Sequence, residues 1–235
     1  MNFSATIRER PWRIDLSPLT LGAVLCSGVF GGAAILAAFR NFAFARDPVG
    51  SNALFYAALL AFTLAAFLFV PPRGGLAGKL GLRRPRLDDL RPIVCGLAAI
   101  YLFHFLSTPL WGKLLDALGI KYAESQNLML ICRNASPLRF LSLLALAGAA
   151  IPFAEEIVFR RTLFGMFVKL GPIPALLISA FIFSALHFYL YGFWSLWALG
   201  AVFQWMYLRT GNLASPVIAH IVFNAVSLTA AFCGG

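Results

Sequence analysis

The residues best suited to chemistry in this chain are two adjacent glutamates and two arginines in an otherwise apolar stretch. Glu155 and Glu156 are followed by Arg160 and Arg161, and the segments on both sides carry no charge. Charged side chains are costly at bilayer depth and are usually functional there. Glu156 and Arg160 are four positions apart, which is the spacing of an ion pair on one helix face. Glu155 has no such local partner, so we expect Glu156 to hold structure and Glu155 to do chemistry.

Three histidines and one asparagine are the other candidates for the site. His187 ends an apolar stretch, and His220 lies four positions before Asn224, so that this pair shares a helix face. A lone histidine inside a membrane helix is most often a hydrogen-bonded packing residue. We interpret His104 in that way.

Composition identifies an integral membrane protein. Of the 235 residues, 60% are hydrophobic and 12% are charged, whereas about 25% of the residues in soluble domains are charged. The net charge of +10 is explained by basic loops that stay on the cytoplasmic side of the bilayer. No soluble basic surface is long enough to bind nucleic acid, so we expect the lipid bilayer and no nucleic acid among the partners.

The apolar runs predict an all-α bundle of seven transmembrane helices, or eight if the mixed segment Gly112–Arg139 hides another. The predicted spans are Ser17–Phe39, Asn52–Val70, Ile93–Trp111, Phe140–Lys169, Pro174–Tyr191, Phe193–Leu208 and Val217–Phe232. In the mixed segment, Leu114, Leu115 and Leu118 recur at helical spacing, which predicts an interfacial amphipathic helix. Pro152 predicts a kink in the fourth span, because it cannot donate to the carbonyl four residues earlier.

The basic residues predict that the N-terminus lies inside. The loop from Arg73 to Arg91 holds six of them, and Arg8, Arg10 and Arg13 would share its side. With Lys169 and Arg209, the inner side then carries eleven basic residues against six outside. By the positive-inside rule this favours an N-inside, multi-pass protein of a bacterial cytoplasmic membrane. With seven spans the C-terminus lies outside.

Depth along the predicted helices brings the polar candidates to similar levels. Counted from the inner turns at 1.5 Å per residue, Glu155, His187 and Asn224 lie about 18–22 Å deep, and His220 about 12 Å. Their immediate neighbours are apolar. The placement predicts that these side chains face one another in a shared polar site.

Three ordered motifs resemble those of the CPBP family, the CAAX-protease and bacteriocin-processing (ABI) intramembrane proteins. The motifs are Glu155-Glu156-x-x-x-Arg160, Phe183-x-x-x-His187 and His220-x-x-x-Asn224. The resemblance covers roughly Phe140 to Leu228 and includes Arg209-Thr210-Gly211-Asn212-Leu213. Arg161 is a departure, since family members often carry a small residue there.

The resemblance implies a glutamate-dependent intramembrane endopeptidase with no metal and no cofactor. By similarity, Glu155 and His187 activate a water molecule. His220 and Asn224 stabilise the oxyanion, and Glu156 with Arg160 organises the site. Peptide hydrolysis needs a base that works near neutral pH, which a desolvated glutamate provides. The substrate implied is a membrane-associated protein or peptide, with prenylated and C-terminally anchored proteins among the candidates.

We expect a single membrane domain over residues 1–235. Residues 1–139 supply the N-terminal helices and the amphipathic loop, and residues 140–230 form the catalytic core.

Three other functions stay open on the sequence. Two glutamates and two histidines could bind zinc, although no HExxH motif is present. A non-proteolytic scaffold or immunity protein could keep the same residues. A proton-coupled transporter is disfavoured, because no repeated half with broken helices is visible.

Overall fold

The computed structural model describes residues 17–69 and 75–234, and all regular elements in these ranges are helical. The α-helices are α1 (Pro18–Phe39), α2 (Ala43–Arg46), α3 (Pro48–Phe69), α4 (Leu76–Leu80), α5 (Leu87–Ala117), α6 (Asn127–Arg133), α7 (Pro137–Ala145), α8 (Ile151–Glu156), α9 (Phe164–Phe167), α10 (Pro172–Ala185), α11 (Phe193–Thr210) and α12 (Ala214–Cys233). Arg8, Arg10, Arg13 and Arg73, on which the predicted orientation partly depends, lie outside the described residues. The all-α polytopic class is confirmed.

Five helical segments in the described ranges are long and apolar enough to cross a membrane. They are Pro18–Phe39, Pro48–Leu68, Leu87–Ala117, Pro137–Leu170 and Ala214–Cys233. The two other predicted spans correspond to α10 and α11, with 14 and 18 residues. Many large apolar side chains of the bundle are exposed, as expected of helix faces that contact lipid tails.

The predicted fifth span was too long at its C-terminal end. The prediction was Pro174–Tyr191, but α10 ends at Ala185 and is followed by a loop up to Gly192. At 1.5 Å per residue α10 is about 21 Å long, shorter than a hydrocarbon core of about 30 Å. His187 therefore lies in the loop that follows α10 and not on the helix itself.

The predicted amphipathic helix was also wrong, because its leucines continue the third span. Leu114 and Leu115 lie in the last turn of α5, which runs unbroken for 31 residues, and Leu118 caps its C-terminus. The eighth span considered for Gly112–Arg139 is absent from these residues, all of which the structure describes. The helix found there, α6, has seven residues, too few to cross a bilayer.

The fourth span is a helical segment with two π-helical interruptions. Residues Leu146–Ala150 and Ile157–Leu163 form π-helical turns on either side of α8, which carries Pro152 and both glutamates. π-Helical turns inside α-helices are frequent at functional sites. A change in hydrogen-bond register thus occurs beside Pro152, where the sequence predicts a kink.

Close helix contacts at small residues hold the bundle together. Gly96 on α5 faces Met206 and Val202 on α11, and a Cβ at Gly200 would lie 3.1 Å from the Cα of Ala180 on α10. Small residues allow helix backbones to approach in this way within membranes. These three helices and the second π-helical turn share a buried core that includes Ile100, Val158, Phe159, Leu163, Phe183, Leu199 and Phe203.

A buried polar network anchors the loop before α5 to the turn between α11 and α12. Arg83 makes a two-point ion pair with Asp89, with N–O distances of 3.0 and 2.7 Å. Asn212 is fully buried, donates to Asp89 and accepts from the backbone amides of Arg83 and Ala214. The predicted cytoplasmic loop is thus bound to the bundle at the asparagine of the sequence Thr210-Gly211-Asn212.

We expect Asn212→Ala to destabilise the protein. The substitution removes three hydrogen bonds and leaves two backbone amides without their acceptor, which costs about 2–4 kcal/mol in total. The check is thermal unfolding of the purified protein in detergent. Asn134→Ala is the matched control, because Asn134 is exposed and bonds only to the carbonyl of Leu130 within its own helical turn. Equal unfolding temperatures for the two variants would contradict this role of Asn212.

Candidate active site

A cavity of about 540 Å³ lies in the centre of the bundle and is lined by all four predicted catalytic side chains. Glu155 enters it from α8, His187 from the loop after α10, and His220 and Asn224 from α12. The remaining wall is largely apolar and includes Leu143, Leu146, Leu196, Leu199 and Phe223. The cavity can therefore hold a polar group at one wall and an apolar chain along the others.

Glu155 is a buried carboxylate whose two oxygens have different surroundings. Its Oε1 accepts a hydrogen bond of 2.8 Å from the hydroxyl of Tyr56 on α3. Its Oε2 lies 3.8 Å from Nε2 of His220, which is beyond hydrogen-bond length. The residue is 6% exposed and borders the cavity. One oxygen is thus held by a hydrogen bond, and the other lies near a histidine without one.

Glu156 lies next to Glu155 in sequence but is fully buried between two cationic or ionisable groups. Its Oε2 is 2.9 Å from Nε of Arg160, and its Oε1 is 2.9 Å from Nδ1 of His220. The contact with Arg160 meets the distance of an ion pair, although its angle is not that of a hydrogen bond. The i, i+4 pair that the sequence predicts is therefore formed, and the same carboxylate also orients His220.

Arg160 is enclosed by aromatic rings. The guanidinium carbon lies 4.8 Å from the ring centre of Phe183, 5.5 Å from that of Phe203 and 5.9 Å from that of Phe159. Its nitrogens have no hydrogen-bond partner within the part of the chain that the structure describes. Ring faces attract cations, more strongly when both are desolvated. The charge of Arg160 is therefore balanced by Glu156 and by these rings.

His220 lies between the two glutamates. Nδ1 contacts Glu156 and Nε2 points towards Glu155, while the ring packs against Phe203 with 4.9 Å between ring centres. The residue is 3% exposed. Contact at Nδ1 fixes the ring orientation, so that Nε2 is the nitrogen directed at Glu155.

His187 is held by the end of the helix that precedes it. Its Nδ1 lies 2.7 Å from the carbonyl oxygen of Phe183, which can only accept, so Nδ1 carries the proton and Nε2 is left for the cavity. The next residue, Phe188, is 90% exposed and has a positive φ of 49°. A non-glycine residue in this region is uncommon and signals a constrained turn.

Aromatic contacts fix the loop that carries His187. Tyr189 donates to the carbonyl of Glu124 at 2.6 Å, and Tyr191 stacks on Tyr122 with 5.0 Å between ring centres. Burial, followed by the nearby Tyr191 and Glu124, raises the pKa of Tyr189 to about 12, so the hydroxyl keeps its proton at neutral pH. The loop after α10 is thereby tied to the segment between α5 and α6.

Asn224 lies one turn beyond His220 on α12, as the sequence predicts. Its Nδ2 donates 2.9 Å to the carbonyl of Ala147, which belongs to the first π-helical turn. In the second π-helical turn, the hydroxyl of Thr162 donates to the carbonyl of Ile157. Side chains thus satisfy irregular backbone on both sides of Glu155, and Asn224 retains a second amide hydrogen.

His104 and Arg161 have partners that the sequence could not specify. His104 Nδ1 lies 2.7 Å from the hydroxyl of Ser195 and 3.2 Å from that of Thr108, which agrees with a hydrogen-bonded packing residue, and His104 also borders the cavity. Arg161 donates to the carbonyl of Lys79 and to the hydroxyl of Tyr207. Arg161 therefore links the fourth span to α4 and to α11.

Tyr56 is the site residue that sequence reasoning missed. It lies 99 positions from Glu155, on a span that the sequence presents as generic. A single tyrosine hydroxyl within an apolar span was the available signal. In the described residues, no set of three or more histidine, cysteine, aspartate or glutamate side chains is arranged to hold a metal ion.

Comparison with known proteins agrees with the motifs. Residues 137–226 match the family described as type II CAAX prenyl endopeptidase Rce1-like. A Bacillus subtilis (strain 168) protein named "Putative membrane peptidase YdiL" is 36% identical over 74 residues, which span 31% of this chain and 30% of that relative. The match thus covers less than a third of the relative's length, and no solved structure matches the chain. The segment 137–226, which carries all three motifs, is therefore similar to the Rce1-like family of type II CAAX prenyl endopeptidases, as the motifs predict.

Proposed function

We propose that this protein is an intramembrane endopeptidase that hydrolyses a peptide bond of a membrane-associated protein, with Glu155 as the general base. The observation that carries the proposal is the pair of unlike carboxylates. Glu156 has a partner on each oxygen, whereas Glu155 has one oxygen held by Tyr56 and the other directed to the cavity beside His220. A buried carboxylate with one open oxygen is suited to take a proton from water.

The reaction begins with a water molecule between Glu155 and His187. Oε2 of Glu155 takes one proton from the water as the oxygen attacks the carbonyl carbon of the scissile bond. His187 presents Nε2 as an acceptor, since its Nδ1 proton is bound to Phe183, and so orients the water. The product of this step is a tetrahedral intermediate with a negative oxygen.

The negative oxygen is stabilised by Asn224 and His220. The second amide hydrogen of Asn224 and a proton on Nε2 of His220 are its donors, and Glu156 supports the positive imidazole through Nδ1. Donors that are fixed in a site shielded from water are worth more than the same groups in water. As the intermediate collapses, the C–N bond breaks and the leaving nitrogen receives the proton held by Glu155.

The apolar cavity wall favours a lipid-modified or helical substrate. An apolar chain buried there gains about 25 cal/mol for each Å² removed from water, and the scissile bond is placed beside Glu155. Prenylated C-termini and C-terminally anchored proteins both have this chemistry. The orientation proposed for the protein keeps the basic loop before α5 on the inner side.

We expect Glu155→Gln to abolish processing while the protein still inserts and accumulates. Glutamine cannot accept the proton of the attacking water, so the rate should fall by at least about 10²–10⁴-fold. The measurement is comparative proteomics of membrane-protein termini in cells that express either form, followed by cleavage of the identified substrate by purified protein.

The same purified enzyme separates the glutamate mechanism from zinc catalysis. Cleavage should continue in the presence of a metal chelator. Normal cleavage by Glu155→Gln would reject Glu155 as the base, and chelator-sensitive cleavage would point to a metal. If no terminus differs between the two cell lines, the non-proteolytic scaffold becomes the better interpretation.

We expect Glu156→Gln to act mainly through stability. The substitution leaves Arg160 buried, 1% exposed, without an ionic partner, and stranding a buried charge typically costs about 3–5 kcal/mol. The readouts are protein yield and unfolding temperature, with exposed Glu124→Gln as the control for the chemical change itself. A Glu156→Gln protein of normal stability and no activity would reverse the roles assigned to the two glutamates.

A further inference from the structure

We propose that Tyr56 is a positioning residue for the general base, and that it determines which oxygen of Glu155 faces the substrate. The kinetic test of this inference rests on the proposed function, because it measures peptide cleavage. It extends the site to α3, outside the segment 137–226 that matches the family. The N-terminal helices would then complete the site as well as support it.

The contact is direct and specific to one oxygen. The hydroxyl of Tyr56 donates to Oε1 of Glu155 at 2.8 Å, and both side chains border the cavity. Oε2 then lies on the side of His220, at 3.8 Å from Nε2. The terminal torsion of a glutamate is broad and roughly two-fold, so without a donor its two oxygens can exchange places. A phenol bonded to one of them removes that freedom.

The chemistry of the pair suits a general base that is held through one oxygen. A hydrogen bond from a neutral donor to a carboxylate is charge-assisted and stronger than one between neutral groups. During catalysis the proton of the water moves to Oε2 and then to the leaving nitrogen. The hydroxyl of Tyr56 keeps its own proton throughout and stays bound to Oε1.

Packing alone does not account for a tyrosine at this position. The ring of Tyr56 meets that of Phe55 edge to face, with 5.5 Å between centres. Phenylalanine at position 56 would keep these ring contacts and lose only the hydroxyl. The chain also offers a matched comparison, because Tyr101 borders the same cavity and its buried hydroxyl has no hydrogen-bond partner in the ranges that the structure describes.

The kinetic test compares Tyr56→Phe with Tyr101→Phe on the substrate identified for the wild type. For Tyr56→Phe we expect kcat to fall by about tenfold or more with KM changed less than about twofold, since the lost contact acts on the base and not on substrate binding. For Tyr101→Phe we expect a smaller loss of kcat than for Tyr56→Phe, since the hydroxyl of Tyr101 makes no hydrogen bond to the base. A merely structural role would lower the amount of folded enzyme without this separation of kcat from KM.

A second test needs no substrate. Dicyclohexylcarbodiimide modifies protonated carboxyl groups inside membranes, and modification of Glu155 can be followed by mass spectrometry. Loss of a donor that favours the charged form should make Glu155 react several-fold faster in Tyr56→Phe than in Tyr101→Phe. If Tyr56→Phe does not accumulate, 3-fluorotyrosine at position 56 replaces it. This residue is a stronger donor, so slower modification of Glu155 is then expected.

The outcomes separate this inference from the proposed function. If the wild type cleaves, Glu155→Gln does not, and Tyr56→Phe matches Tyr101→Phe in kcat and in labelling, the role of Tyr56 is overturned. If the wild type cleaves nothing, the peptidase proposal fails, and the labelling rates alone decide whether Tyr56 controls Glu155. Faster labelling together with a selective loss of kcat supports the inference.

Discussion

The structure depends on one buried carboxylate, Glu156, that neutralises Arg160 and orients His220. At 0% exposure this group has no water to solvate it, so its charge must be balanced by neighbours. The immediate cluster holds two carboxylates and one guanidinium, and the imidazole of His220 lies between the carboxylates. The ion pair and the proposed oxyanion donor therefore share one carboxylate, Glu156.

The sequence predicted the local part of this arrangement well. The pairing of Glu156 with Arg160 follows from four-residue spacing on one helix, and so does the shared face of His220 and Asn224. Both statements need only the geometry of a single helix. The membrane class and most of the spans were equally accessible, since runs of about 20 apolar residues have few other uses.

The distant contacts could not be predicted from one sequence. Tyr56 reaches Glu155 across 99 positions, and no local rule connects a tyrosine in one apolar span to a glutamate in another. The predicted C-terminal limit of the fifth span, Tyr191, was wrong for a related reason. Residues 186–191 are rich in leucine and aromatic side chains and so resemble the end of a span, but loop contacts made by Tyr189 and Tyr191 fix a non-helical path there. Apolar composition sets the environment of a segment and not its backbone conformation.

The short α10 explains how a loop histidine reaches the level of a helical glutamate. Irregular backbone is tolerated at membrane depth where it is buried in protein or lines a cavity, and the loop after α10 meets this condition because His187 borders the cavity. The π-helical turns beside Glu155 meet this condition too, and a carbonyl in each turn accepts a hydrogen bond from the side chain of Asn224 or Thr162. Non-α-helical backbone therefore occurs in both segments that bring Glu155 and His187 to the cavity.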